Sequence, residues 1–561
     1  MKNVNLTAWS VAVATAAAAA AGIAAGQANA ASAHQAGKAA YSHRSIRFER
    51  EGRLLAIVGT RGNDKIALRL KAGDPGTVQV DFRDDGSAEL NVARSRIGTI
   101  VVDAGAGDDS VRIDESNGVF TDGIPTTIAG GDGNDSLIGG SGAETLIGGR
   151  GNDTIDGSHG NDVAFLGSGD DTFVWDPGDG SDSVEGQSGN DTMVFNGASG
   201  AEQIDLSANG SRLRLFRDVG KVTMDTRGVE QVDVNALGGA DTVTVNDLTG
   251  TGVSGVNVDL AGALGGTAAD GQTDRVVVNG SNGNDAINVD GDAGGVKVSG
   301  LATTVAIQHQ EPTDQLAVDG LGGNDSISAT GLAAQSIALT LDGGAGDDTL
   351  AGSQGVETLL SGDGNDSVDG NGGNDTAMLG AGDDTFVWDP GDGSDVVEGQ
   401  DGADTMVFNG AAAGEHIDLS ANGSRLRFFR DVGNITMDTN GVEAVDFNAL
   451  GGADTVTVND LTGTGVSLVN VDLAGALGGS SGDGQADRVV VNGTNGNDAI
   501  NVNGDAGGVK VSGLATTVAI EHSEVANDRL EVNTLAGKDT VDSSGLAAGA
   551  IQLLVNGVVV P

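Results

Sequence analysis

Between Gly130 and Val174 the chain reads GGDGNDSLI GGSGAETLI GGRGNDTID GSHGNDVAF LGSGDDTFV, and between Gly343 and Val387 it reads GGAGDDTLA GSQGVETLL SGDGNDSVD GNGGNDTAM LGAGDDTFV. These two blocks constrain the fold more than any other feature. Glycine recurs at the first, second and fourth slots of each nine, an acid at the sixth and one apolar residue at the eighth. Such glycine density removes helix as an option, because each glycine costs about 1 kcal/mol in a helix interior. Glycine does suit tight turns and close backbone approach. One apolar residue per nine is enough for a three-residue strand with a single inward side chain. Two nines then make one coil, with a strand on each side and a glycine-rich loop at each edge.

Coils stacked about 4.8 Å apart bring the sixth-slot acids into two columns. Asp135, Asp153 and Asp171 share one edge, and Glu144 and Asp162 share the other. Neighbouring carboxylates at that spacing repel by roughly 1 kcal/mol per pair in water and several-fold more at a protein surface. One buried Leu or Ile per nonapeptide contributes about 2 kcal/mol, against about 1–2 kcal/mol of backbone entropy for every residue ordered. Such a coil needs positive charge between its acids. A hard divalent cation meets the need, and Ca²⁺ fits best because it accepts six to eight oxygens in irregular geometry. Mg²⁺ demands tight octahedral geometry, and zinc prefers nitrogen and sulfur ligands.

GGDGNDSLI, GGRGNDTID and GGAGDDTLA resemble the nonapeptides of the haemolysin-type, or repeats-in-toxin (RTX), family, G-G-x-G-x-D-x-(aliphatic)-x. The resemblance implies a parallel β-roll holding Ca²⁺ in the loops between successive coils. It implies carboxylate ligands at Asp135, Glu144, Asp153, Asp162 and Asp171, and at Asp348, Glu357, Asp366, Asp375 and Asp384. Each block is followed, after a two-residue insertion, by two further units, which add Asp182, Asp191, Asp395 and Asp404. Pairing each loop with the loop one coil on gives about three complete sites per block. The pattern departs from the family at Glu144 and Glu357, which replace aspartate, and at Asn371 and Ser361, which replace glycine. Isolated units, AGAGDDSV around Asp109 and the two LGGADTV segments, have no adjacent nonapeptide and read as turns.

Beyond the blocks, the chain duplicates itself over 213 residues: FVWDPGDGSD at 173–182 returns at 386–395, and NALGGADTVTVNDLTGTGVS at 235–254 returns at 448–467. Between blocks, short alternating runs such as DTVTVND and GGVKVSG are bounded by Gly, Asn or Asp and read as strands with tight turns. The expected organisation is a signal peptide at 1–30, an N-terminal β-rich segment at 31–100, nonapeptide blocks at 101–195 and 342–407, and spacer β-modules at 196–341 and 408–561. The fold class is all-β, with two calcium-binding parallel β-roll blocks alternating with spacers that are either β-helix-like or sandwiches.

Composition narrows the partners. A net charge of −51 opposes nucleic acid and anionic lipid, both of which need Lys and Arg. The locally basic stretch from Lys38 to Arg96 is interspersed with acids and reads as a soluble arm. With no cysteine, disulfides and thiol chemistry are excluded. MKNVNLT, an alanine-rich run and A-N-A before Ala31 read as a secretory signal, so a secreted, extracellular protein without a membrane span is expected.

Catalytic motifs are poor. GGSSG at 478–482 and GTGVSG at 250–255 are by-products of glycine content. His309 and His522 occupy matching positions and read as surface residues; Trp175 and Trp388 read as packing anchors beside a Pro-Gly turn. The expected function is therefore a non-enzymatic calcium-binding repeat protein whose folding depends on Ca²⁺, with a surface, matrix or adhesion role and with cell-surface or matrix components as partners. The alternative is a β-helical carbohydrate-active enzyme, of lyase or epimerase type, that carries calcium-binding accessory repeats.

Overall fold

The computed structural model describes residues 45–49 and 53–560; the signal-peptide segment 1–30 lies outside the described residues. Among those residues there is no α-helix, and the chain forms short strands joined by turns. It divides into two compact units, the first running to Asp274 and including Ala302–His309, the second comprising Arg275–Leu301 and residues from Gln310 onward.

In the first unit the chain alternates between two parallel sheets. One carries Thr99–Ala106, Thr126–Asp132, Glu144–Arg150, Val163–Ser168 and Ser183–Ser188 in parallel neighbour order. The other carries Ser136–Ile138, Thr154–Asp156, Thr172–Trp175, Thr192–Asn196 and Gln231–Asn235. Each nonapeptide contributes one strand, and its eighth-slot residue points inward. Leu137, Ile155, Phe173, Met193 and Val232 thus form one column in register, opposed by Ile128, Leu146, Ala164 and Val184; all are fully buried. The second unit repeats the arrangement with Ile327, Leu350, Val368, Phe386, Met406 and Val445.

Stacking this close requires glycine at the loops. At Gly149 (φ 126°) an added Cβ would lie 2.1 Å from the Gly131 carbonyl oxygen, and at Gly151 (φ 111°) 2.2 Å from that of Gly133. Where the pattern breaks, the chain compensates locally. Asn371 adopts a left-handed φ of 55°, which asparagine tolerates, and the Ser361 hydroxyl is buried and donates to the Leu379 carbonyl.

The spacers are built of the same parallel coils and are not sandwiches. Gln231–Asn235 pairs in parallel with Gly255–Asp259, which pairs in parallel with Thr304–Gln308. Antiparallel excursions interrupt them: a hairpin, Ala286–Asp292 with Gly295–Ser299, and a three-stranded one. Gln203–Asn209, Arg212–Arg217 and Val222–Arg227 form an antiparallel trio whose outer members rejoin parallel strands at Ser183–Ser188 and Thr242–Val245. The second unit has the same trio, from His416 to Asn440.

Trp175 and Trp388 are fully buried beneath these excursions. Each stacks nearly parallel on a phenylalanine, Phe195 at 4.2 Å and Phe408 at 3.9 Å, and its indole N–H donates to a loop carbonyl at 2.9 Å. They are packing anchors.

Candidate metal centres

Each sixth-slot acid sits where a glycine loop turns into its strand, so its side chain points back along the stack. The backbone N–H of Asp135 donates to Asp153 Oδ1 at 2.8 Å, that of Asp153 to Asp171 Oδ1 at 2.7 Å, and that of Asp171 to Asp191 Oδ1 at 3.0 Å. On the opposite edge Glu144 donates to Asp162 Oδ1 at 2.6 Å and Asp162 to Asp182 Oδ1 at 2.8 Å. The second unit repeats both columns. Asp348, Asp366, Asp384 and Asp404 follow one another on one edge, and Glu357, Asp375 and Asp395 on the other. All fourteen acids singled out by sequence therefore fall into these four columns, two in each unit.

The fifth slot runs a second ladder in the reverse sense. Asn152 N–H donates to Asn134 Oδ1, Asp170 N–H to Asn152 Oδ1 and Asn190 N–H to Asp170 Oδ1, all at the exposed rim. Adjacent coils are thus clasped in both directions by side chains that accept backbone donors.

Only one oxygen of each sixth-slot aspartate is used in this way. The other is buried without a hydrogen-bond partner at Asp135, Asp153, Asp162, Asp171, Asp182 and Asp191, and likewise at Asp348, Asp366, Asp375, Asp384, Asp395 and Asp404. Glu144 leaves Oε1 unpartnered, whereas both oxygens of Glu357 accept from Ser353. An orphaned buried carboxylate oxygen is costly, of order several kcal/mol if charged, and a repeated row of them calls for a cation. Burial pushes Asp153 up to about 7, Asp162 to about 9 and Asp375 to about 8, and the charges of adjacent ladder acids push in the same direction. No three carboxylate or imidazole groups converge on one point among the described residues, so a metal here would complete its shell with backbone carbonyls. Glycine loops provide such carbonyls, at positions that a Cβ would fill. This donor set, all oxygen, suits Ca²⁺.

The columns extend further than the sequence reading placed them. Asp109, read as a turn, donates to Asp135 Oδ1 at 2.8 Å across 26 residues, and accepts from Asp64 N–H at 2.6 Å across 45. In the second unit Asp285 and Asp325 precede Asp348 in the same manner. Both columns end on a glutamate, with Asp191 donating to Glu230 and Asp404 to Glu443, each at 2.9 Å. The LGGADTV acids, Asp241 and Asp454, also stack on other acids. What identifies these is the residual pattern G-x-(D/E)-x-aliphatic, as in Gly107, Asp109 and Val111 or Gly228, Glu230 and Val232.

Among the described residues the histidines stand apart from the columns. His309 and His522 are half-buried, each with Nδ1 2.6 Å from an aspartate (Asp259, Asp472), so they are paired turn residues and not free surface groups. No helix among the described residues is long and apolar enough to cross a membrane.

The family model described as the RTX calcium-binding nonapeptide repeat matches residues 126–152, 138–173, 178–199, 340–356, 351–386 and 391–410. Those segments contain all fourteen acids singled out by sequence. The two blocks are RTX calcium-binding repeats folded as a parallel β-roll. No curated protein matches the chain.

Proposed function

We propose that this is an exported, non-enzymatic protein whose two RTX blocks become rigid on taking up calcium outside the cell. The observation that carries the reading is the row of buried, unpartnered carboxylate oxygens, one in each aspartate loop of both blocks. Ca²⁺ supplies the positive charge these oxygens lack and draws successive loops together. Asp135, Asp153, Asp171 and Asp191 hold it along one edge of the first unit; Glu144, Asp162 and Asp182 do so along the other. Asp348, Asp366, Asp384 and Asp404, with Glu357, Asp375 and Asp395, take the same roles in the second. About three complete sites per block follow from pairing successive loops, with affinities of about 10⁻⁴–10⁻³ M as in extracellular modules. Binding free energy is then folding free energy, and the chain is loose where calcium is scarce.

A coat, matrix or adhesion role fits a long, acidic, rigid repeat protein. The enzymatic alternative draws no support from the open recess of about 450 Å³ near the start of the first unit. Its two arginines are already engaged: Arg53 with the backbone carbonyls of Ser95 and Ile97, Arg94 with those of Val119 and Phe120 and with the Asp122 carboxylate at 3.1 Å. No acid or histidine lines it to serve as a base.

The deciding test is far-UV circular dichroism of residues 31–561 during titration with Ca²⁺, with Mg²⁺ as control. The expected result is a cooperative gain of β-signal at millimolar Ca²⁺ alone. Absence of saturable Ca²⁺ uptake at that concentration would overturn the reading.

A further inference from the structure

Asp241 and Asp454 lie outside both the RTX matches and the block columns, yet share the property that defines those columns. Asp241 and Asp454 belong to the spacers, in turns of sequence LGGAD, and each is only 2% exposed. Oδ1 of Asp241 accepts the Glu202 N–H at 2.8 Å, and Oδ1 of Asp454 accepts the Glu415 N–H at 2.8 Å. Their Oδ2 atoms are buried with no partner.

The neighbouring acid in each stack shows what relief looks like. Glu202 is met by the buried guanidinium of Arg217, and Glu415 by that of Arg430, in pairs that are at most 5% exposed. Each guanidinium also lies over the buried indole, 5.4 Å from Trp175 and 5.3 Å from Trp388. The chain therefore supplies its own cation at Glu202 and Glu415, and none at the next step. There the loop is again a glycine turn that admits no side chain: at Gly239 a Cβ would stand 2.6 Å from the Ala201 nitrogen, and at Gly452 2.4 Å from the Ala413 carbonyl carbon. The negative field around the orphan is deepened by a further aspartate on each loop, Asp270 accepting from Gly239 N–H and Asp483 from Gly452 N–H. The arrangement occurs in both units at corresponding residues.

We infer that Asp241 and Asp454 each hold a divalent cation at a spacer turn, one additional site per unit, with the guanidinium of Arg217 or Arg430 standing in for metal at the preceding turn. The inference rests on the calcium reading of the blocks and extends it to coils that are not contiguous in sequence. The ion would be bound by Asp241 or Asp454 Oδ2 together with backbone carbonyls of the glycine turn, an all-oxygen set suited to Ca²⁺.

The test counts Ca²⁺ bound at saturation by the full-length chain in equilibrium dialysis, for the wild type, the D241N/D454N double variant and a D153N/D366N reference. Asparagine keeps the oxygen that accepts the ladder N–H, so the backbone clasp survives. D241N/D454N is expected to bind two ions fewer than the wild type. An unchanged count for D241N/D454N, with ions lost from D153N/D366N, overturns this inference and leaves the block reading intact. A wild type that binds no Ca²⁺ overturns both. If D241N/D454N does not fold, hydrogen exchange on the wild type decides. The Glu202 and Glu415 amides, which donate into the proposed sites, are expected to slow about tenfold or more on adding Ca²⁺, and equally in D153N/D366N. Unchanged exchange at both amides overturns the inference.

Discussion

Replacing Asp153 by asparagine changes stability in opposite directions with and without calcium. Asp153 lies mid-column, accepts the Asp135 N–H through Oδ1 and leaves Oδ2 buried and unpartnered. Asparagine retains the accepting oxygen and removes the charge. Without metal, burial raises this carboxyl from its ordinary 3.8 to about 7. At about 1.36 kcal/mol per pKa unit that is at most roughly 4 kcal/mol of penalty relieved near pH 7, or ~2 kcal/mol once screening by solvent at the loop mouth is allowed for. With metal, the same change removes a charged ligand. One lost site costs about 2.7 kcal/mol when free Ca²⁺ is a hundredfold above its dissociation constant. The assay is urea unfolding at pH 7 followed by the fluorescence of Trp175 and Trp388, both fully buried, in EDTA and in 20 mM Ca²⁺. D153N is expected to unfold at higher urea than the wild type in EDTA and at lower urea in calcium. A shift to lower urea in both conditions would show that the carboxylate is an ordinary structural acceptor, and the cation argument for the columns would fail.

Two further outcomes follow from the same geometry. In EDTA, acidification from pH 8 to pH 5 should stabilise the folded chain. Carboxyls such as Asp153 and Asp162 have folded values of about 7 and about 9, above the ordinary 3.8, so their contribution is full below that value and is lost as pH rises through 7–9; β-signal and urea midpoint falling on acidification would contradict this. Arg217→Met should lower stability by about 3–5 kcal/mol in calcium-loaded protein, because Glu202 is left buried and uncompensated, and adding Glu202→Gln should restore most of it. A loss within 1 kcal/mol in urea unfolding for the single variant would show that the pair is dispensable.

The nonapeptide coils were legible because everything that shapes them repeats at short range. Slot eight supplies the inward column, as at Leu137, Ile155 and Phe173, and slot six the acids, as at Asp135, Asp153 and Asp171. Each residue meets its equivalent 18 positions away, so the spacing in sequence is the spacing in the stack. Asp109 was misread because that rule lapses there. Its ladder partners are 26 and 45 residues distant, and the intervening chain makes extra strands before returning to the same place. The spacers' strands were recognisable from alternation, yet alternation says nothing of partner or direction. It could not show that Arg212–Arg217 runs antiparallel to both its neighbours, or that this reversal carries Arg217 onto Glu202. Contacts of that kind depend on long-range closure and leave no period in the sequence.

The two-way clasp between coils has a consequence for how such a chain changes over evolutionary time. Each junction has a sixth-slot carboxylate accepting in one direction, and where the fifth slot is Asn or Asp its side chain accepts in the other. Neither bond depends on how much chain lies between the partners, and separations of 18, 20, 26, 39 and 45 residues all end in a sixth-slot bond. A gene encoding this protein can therefore gain a hairpin between coils, or lose or duplicate coils by unequal exchange between its near-identical 213-residue stretches, without redesigning any seam. The number of coils then becomes a freely adjustable character, while the chemistry that joins one turn to the next stays constant.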